Sequence, residues 1–177
     1  SIFIDIGDEQ SIENDLSTYS SHLLNMKFFA ANSDAETLFL IDEFGSGTEP
    51  ILGGAIAEAI LEQLNENKSY GVATTHYSNL KLLADKEEGI FNGAMTFDVK
   101  KMSPLFKLKT GKPGSSFAFE IAKNIGLDDK ILGNAAKKTG KSQLDFDKQL
   151  QELEQEKEII DKKTTELKVA DEFFSEI

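Results

Sequence analysis

Two acidic residues stand side by side at the end of the most apolar short run of the chain, Leu38-Phe39-Leu40-Ile41-Asp42-Glu43. Such a run reads as a strand, and in an open parallel sheet ligands bind beyond the carboxyl ends of the strands. An aspartate at that point can hold Mg2+, a hard ion that prefers carboxylate and phosphate oxygens. A glutamate one residue further on points elsewhere and can polarise an attacking water. A strand end that merely meets solvent looks the same, so the two acids alone leave both readings open.

Three other groups have the same double character. His76 ends the next apolar run, Thr74-Thr75-His76; a lone histidine there is commonly structural, but on the carboxyl edge of a neighbouring strand its ring can reach a γ-phosphate or the attacking water. His22 falls inside a helix and reads as packing or capping. Gly45-Ser46-Gly47-Thr48-Glu49-Pro50 follows the acids at once. It is either a turn before a helix or a loop whose glycines let a second subunit approach closely. Ser17 and Thr18, in Leu16-Ser17-Thr18-Tyr19-Ser20-Ser21-His22, stand where hydroxyls cap a helix. A helix start is also an anion site, with free N–H groups and a positive dipole end.

The elements that must position these groups alternate. A strand fits residues 1–7 and a helix 16–31, with Leu16, Tyr19, Leu23, Met26 and Ala30 at helical spacing. Residues 37–41 form a continuous apolar run, as expected of a strand buried on both faces. A helix at 51–64, a second buried strand at 70–75 and a short helix at 78–85 follow. Strand–helix alternation of this kind predicts an α/β layered domain with a mostly parallel sheet. Residues 94–99 and 105–109, with Ser103-Pro104 between them, fit a hairpin at one edge. Helices fit 116–125 and 128–138, the second with Asp128 as N-cap. Beyond Ser142 the chain turns to Gln, Glu, Lys and Asp with spaced apolar residues. Phe146, Leu153, Ile160, Leu167 and Phe174 recur at intervals of seven, whereas the companion positions Leu150, Lys157, Thr164 and Asp171 are mostly polar. That pattern predicts a long helix that packs along a narrow stripe, with a solvated helix as the alternative.

The 177 residues, 40% of them hydrophobic, suffice for one domain with a core and an extension. The absence of cysteine excludes disulfides and thiolate metal sites. No apolar stretch approaches the roughly 18–20 residues that span a bilayer, and no signal sequence opens the chain; a cytoplasmic protein without membrane partners is expected. The net charge of −12 opposes binding to nucleic-acid phosphates, which depends on Lys and Arg.

In order, a Ser-Thr helix start, an apolar strand ending Asp42-Glu43, a Gly45-Ser46-Gly47-Thr48 loop and an apolar strand ending in His76 resemble the signature motif, Walker B, D-loop and H-loop of ABC-type ATPases. The wording of residues 17–22, after Asp5-Ile6-Gly7-Asp8-Glu9-Gln10-Ser11-Ile12, is similar to that of the MutS family, specifically its second bacterial branch. That branch is linked to suppression of recombination and rescue of collided ribosomes, and it continues into a long helical segment and a Smr domain. The resemblance implies that residues 1–140 are the downstream half of a MutS-type ATPase domain, a partial P-loop NTPase-like layer, and that 141–177 begin the helical extension. It implies a homodimer with head-to-tail ATPase domains around ATP and Mg2+. Asp42 would hold the metal, and Glu43 and His76 would be catalytic. Ser17, Thr18 and Gly47 would bind nucleotide across the interface. The sequence departs from the pattern in one respect: it contains no Gly-x-x-x-x-Gly-Lys-Ser/Thr phosphate cradle. Gly133 and Gly140-Lys141-Ser142 are separated by six residues and preceded by a helix; Gly111-Lys112-Pro113 lacks both ends of the motif. The resemblance places the cradle upstream of Ser1, so this chain alone is expected to bind ATP poorly and not to turn it over. DNA or ribosome contacts are expected mostly outside the segment. Two other readings are a mismatch-repair MutS domain and a non-enzymatic dimerisation module working through the 142–177 helix.

Overall fold

A computed structural model describes residues 1–6, 18–98 and 101–175, which fall into two compact units, Ser1–Asn92 and Gly93–Ile177. The first unit runs β1 (Ile2–Asp5), α1 (Thr18–Asn32), β2 (Leu38–Ile41), α2 (Pro50–Glu66), β3 (Tyr70–Ala73) and α3 (Ser78–Leu83). The strands form one sheet in the order β1-β2-β3. Both pairings are parallel, with Asp5 beside Ile41 and Ile41 beside Ala73. The α/β architecture with a parallel sheet is the one the alternating pattern predicts, and it brings all three carboxyl ends to one edge.

Local chemistry fixes the ends of these elements. Pro50 opens α2, where its missing N–H costs nothing, and the Glu49 carboxylate accepts the Leu52 N–H at 2.9 Å. At the other end Asn67 donates to Ala30 O at 3.0 Å and to Ser33 Oγ at 2.9 Å, tying the close of α2 to the close of α1. Before β2, the Thr37 hydroxyl and the Glu36 N–H both donate to the Asp34 carboxylate and hold its pKa below the ordinary carboxylate value. The core gathers Met26 and Phe29 from α1, Phe39 and Ile41 from β2, Ala57 and Leu64 from α2, and Leu80 and Leu83 from α3. Phe3 stacks on Phe29 at 5.1 Å and meets Phe28 edge-on at 5.3 Å.

Burial of β2 and β3 on both faces, expected from their unbroken apolar runs, is corrected by the structure. All three helices contribute to the core on the Phe39–Ile41 side. The alternate residues point the other way: Leu38 is 40% exposed, Val72 61% and Ile4 58%. Successive strand side chains alternate between faces, so apolar residues at every position cannot all be covered by one layer of helices.

Gly71 lies directly beside Phe39 in the register. A Cβ there would stand 2.3 Å from Phe39 Cδ2 and Cε2, inside the ring. Gly71→Ala is therefore expected to destabilise the chain by about 1–3 kcal/mol through overpacking. The double variant with Phe39→Leu is expected to lose less than the sum of the two single changes. Urea unfolding of the four proteins measures this, and strict additivity would show that the ring does not occupy that space.

In the second unit β4 (Gly93–Asp98) and β5 (Ser103–Thr110) pair antiparallel as a sheet of their own. Ser103 and Pro104 do not form the turn between them; they lie within β5, opposite Asp98 and Phe97. Phe97 stacks on Phe117 at 5.5 Å, just before α4 (Ala118–Asn124); α5 (Asp129–Thr139) begins with Asp128 accepting the Lys130 N–H at 2.7 Å. The long helix is α6 (Lys141–Ser175). Its sevenfold stripe is not the buried one: Leu153, Ile160 and Leu167 are exposed, whereas Leu150 from the companion positions is buried. Near it the Asp147 carboxylate accepts from Ser115 Oγ, and Gln151 donates to Glu120. The helix thus packs through its first turns on its own unit. The side chains of Phe146 and Phe174 lie outside the described set.

Candidate functional site

The carboxyl edge of the three-stranded sheet carries Asp5, Asp42 and Glu43, and the segment from Thr74 to His76. Thr74 organises the middle of this edge. Its hydroxyl donates to Asp42 Oδ1 and accepts the Glu43 N–H at 2.9 Å, so one side chain orients both acids. Its carbonyl accepts the Phe44 N–H at 2.8 Å. Further along, the Thr75 hydroxyl donates to Phe44 O, and the Tyr77 hydroxyl to Gly45 O at 2.9 Å. The loop after the acids is strapped to the next strand end by five hydrogen bonds.

Glu43 has φ +49, the left-handed region that a side chain with Cβ enters at a cost of about 1–3 kcal/mol. The straps over-determine the backbone and hold it there. Its carboxylate stands in solvent, 4.0 Å from His76 Nε2, with both side chains largely exposed. Gly45 at φ +87 and Gly47 at φ +89 occupy the conformation that favours glycine. A Cβ on Gly45 would also meet the Tyr77 ring at 2.6 Å, and one on Gly47 would lie 3.2 Å from Tyr19 Cβ. The loop therefore lies against the start of α1.

Between α1, α2 and this edge lies a pocket lined by Asp5, Tyr19, His22, Asp42, Glu43 and Ser46, together with apolar residues of α1, β2 and α2. Asp42 is half-buried. With Oδ1 taken by Thr74, its other oxygen has no hydrogen-bond partner among the described residues. No group of three or more metal-ligating side chains converges among the described residues. One oriented carboxylate beside a pocket suits Mg2+, which keeps several waters and relies on one or two carboxylates plus phosphate oxygens.

Of the residues singled out from sequence, Asp42, Glu43 and His76 come together on this edge, and Gly47 lies in the adjoining loop against α1. Thr18 is the first residue of α1, with its side chain outside the described set, and Ser17 lies outside the described residues. Sequence reasoning passed over Thr74, Tyr77 and Asp5. Thr74 and Tyr77 flank a histidine already of interest, so their hydroxyls were visible as residue types. What they bond was not, because the partners are 31 and 32 positions away. His22, read as packing or capping, is half-buried and hydrogen-bonded to Asp5 at 2.7 Å on the pocket wall. Among the described residues no helix is long and apolar enough to cross a membrane.

The family model for MutS domain V matches residues 1–143. Among curated proteins the chain is similar to "Endonuclease MutS2" of Clostridium kluyveri, 47% identical over 156 residues, which cover 88% of this chain and 20% of that protein. The protein of that name from Finegoldia magna is 46% identical over 160 residues, 90% of this chain and 20% of the relative. The one from Carboxydothermus hydrogenoformans is 43% identical over 166 residues, 94% and 21% respectively. The chain thus spans about a fifth of the length of the curated relatives it matches.

Proposed function

Because this chain belongs to the MutS family, through its domain V, we propose that it supplies the Walker B half of an ATPase site shared between two subunits. The observation that carries this reading is the strapped edge: Thr74 orients Asp42 and Glu43 together, and His76 stands 4.0 Å from Glu43. In this reading Asp42 holds Mg2+, which supplies charge neutralisation to the phosphate oxygens when bound. Glu43 accepts the proton of the attacking water, and His76 hydrogen-bonds the γ-phosphate or that water. Residues 1–140 form the downstream half of the ATPase domain and 141–177 a helical extension. Ser17, Thr18 and Gly47 address the nucleotide held by the facing subunit of a homodimer. Such a site works by positioning and electrostatics, as phosphoryl transfer requires.

The phosphate cradle is absent from this sequence, so in this reading the chain by itself does not turn ATP over. The net charge of −12 favours DNA or ribosome contacts elsewhere in the full-length protein. The same reading includes a cytoplasmic setting in suppression of recombination or ribosome rescue. The word endonuclease belongs to the relatives' names.

A shared site has a direct test. Full-length protein with Glu43→Gln and full-length protein with Ser17→Ala are each expected to be nearly inactive. Mixed, they form heterodimers in which one of two sites keeps both Glu43 and Ser17. Turnover is expected to reappear on mixing, read by phosphate release. No recovery after verified subunit exchange would sink the shared arrangement.

A further inference from the structure

Asp5 is the one buried acidic side chain among the described residues, 7% exposed. A buried carboxylate is costly unless its oxygens are satisfied, and here both are, by one helix. His22 Nδ1 lies 2.7 Å from Oδ2 and Asn25 Nδ2 donates to Oδ1 at 2.8 Å. An ionised carboxylate only accepts, and in that form the bond takes its proton from Nδ1 of His22. The two donors are three residues apart and therefore neighbours on one face of α1. Two bonds from one face fix the roll of the helix as well as its height. The main chain of Asp5 has another partner: its carbonyl accepts the N–H of Asp42 at 2.9 Å. One residue thus grips α1 through its side chain and the candidate metal-binding aspartate through its backbone.

Resting on the ATPase reading above, we propose that Asp5, with His22 and Asn25, is a positioning joint that makes the start of α1 and the Asp42–Glu43 strand end move as one body. In a shared site these two features serve different nucleotides: the strand end its own, the α1 start that of the facing subunit. The joint carries the state of one site to the other. It acts on the geometry of the reacting groups and not on the energy of holding ATP, because both oxygens of Asp5 are already taken by α1. Misplacement of catalytic groups by about 1 Å can cost on the order of 100-fold in rate.

The test uses full-length protein, with ATP turnover measured against ATP concentration. His22→Leu removes one bond of the joint and is expected to lower kcat by about tenfold or more while KM stays within about twofold. His22→Asn places an amide N–H near where Nδ1 stood and is expected to recover at least a third of kcat. Asp5→Asn keeps both bonds through the other histidine tautomer and is also expected to retain at least a third, which keeps the test open if the leucine variant folds poorly. Equal kcat in the leucine and asparagine variants of His22 would overturn the joint, as would a tenfold loss in well-folded Asp5→Asn. Glu43→Gln in the same assay separates the two levels. If it turns over normally, the underlying site reading fails; if it is inactive while His22→Leu matches wild type, only the joint fails.

Discussion

Full-length protein carrying Glu43→Gln is expected to bind ATP with near-normal affinity and hydrolyse it about 10²–10⁴-fold more slowly, the range a positioned general base contributes. Gln matches Glu in size and keeps a hydrogen-bonding group at the same place; it loses the negative charge and, with it, the capacity to take a proton. The backbone gives no reason for the change to disturb the fold. The left-handed φ of +49 at residue 43 is held by the Thr74 hydroxyl on its N–H, the Thr74 carbonyl on the next N–H and the Ser46 N–H on its own carbonyl. None of these involves the carboxylate. The side chain itself is largely exposed, so burial contributes little to its worth. A nucleotide-binding titration and a single-turnover phosphate assay separate binding from chemistry. Turnover within a few-fold of wild type would remove Glu43 from the role of base and leave the strained residue unexplained.

Leu64→Ala is expected to cost the chain about 2–5 kcal/mol. Leu64 is fully buried, near the end of α2 in the cluster with Met26, Phe29 and Leu83. Truncation removes apolar contacts and leaves a cavity. The surroundings cannot collapse easily, because the end of α2 is pinned from both sides. Ser69 Oγ donates to Leu64 O at 2.7 Å, and Asn67 bridges to Ala30 and Ser33. Against a typical total of about 5–15 kcal/mol, such a loss is a large share. Urea unfolding is expected to show a lowered midpoint with an unchanged slope. A loss below about 1 kcal/mol would mean that the end of α2 does not pack as described.

How much of this was legible beforehand depends on the range over which each feature is determined. The Asp128 cap follows from a side chain within a few residues of the backbone it satisfies, and α2 starts at Pro50, one residue before the expected position. The order of strands and helices follows from apolar spacing along the chain. The strand end before Asp42 was legible for the same reason, since an apolar run that stops at a charged residue marks its own end; β3 instead stops at Ala73, three residues short of His76. The face that a helix or strand buries was not legible where every position was apolar. β2 and β3 read as doubly buried, yet the helices cover one side. In α6 the regular stripe of Leu153, Ile160 and Leu167 drew attention, while the buried contact is made by Leu150. Periodicity states what a helix could present; the neighbour decides what is covered.

The strand ending in Asp42-Glu43 shows the division most clearly. That two acids close an apolar strand, that a glycine-containing loop follows and that a histidine stands shortly after the next apolar run are all readable along the chain, because each is a property of adjacent residues. The fold in space is needed to see that Thr74 orients both acids, that Tyr77 straps the loop, and that the Asp5 side chain is buried and bonded to α1. Those partners are 17 to 32 residues apart, and a hydrogen bond selects its partner by distance and direction in space, which the parallel register of β1, β2 and β3 supplies and the order of residues does not.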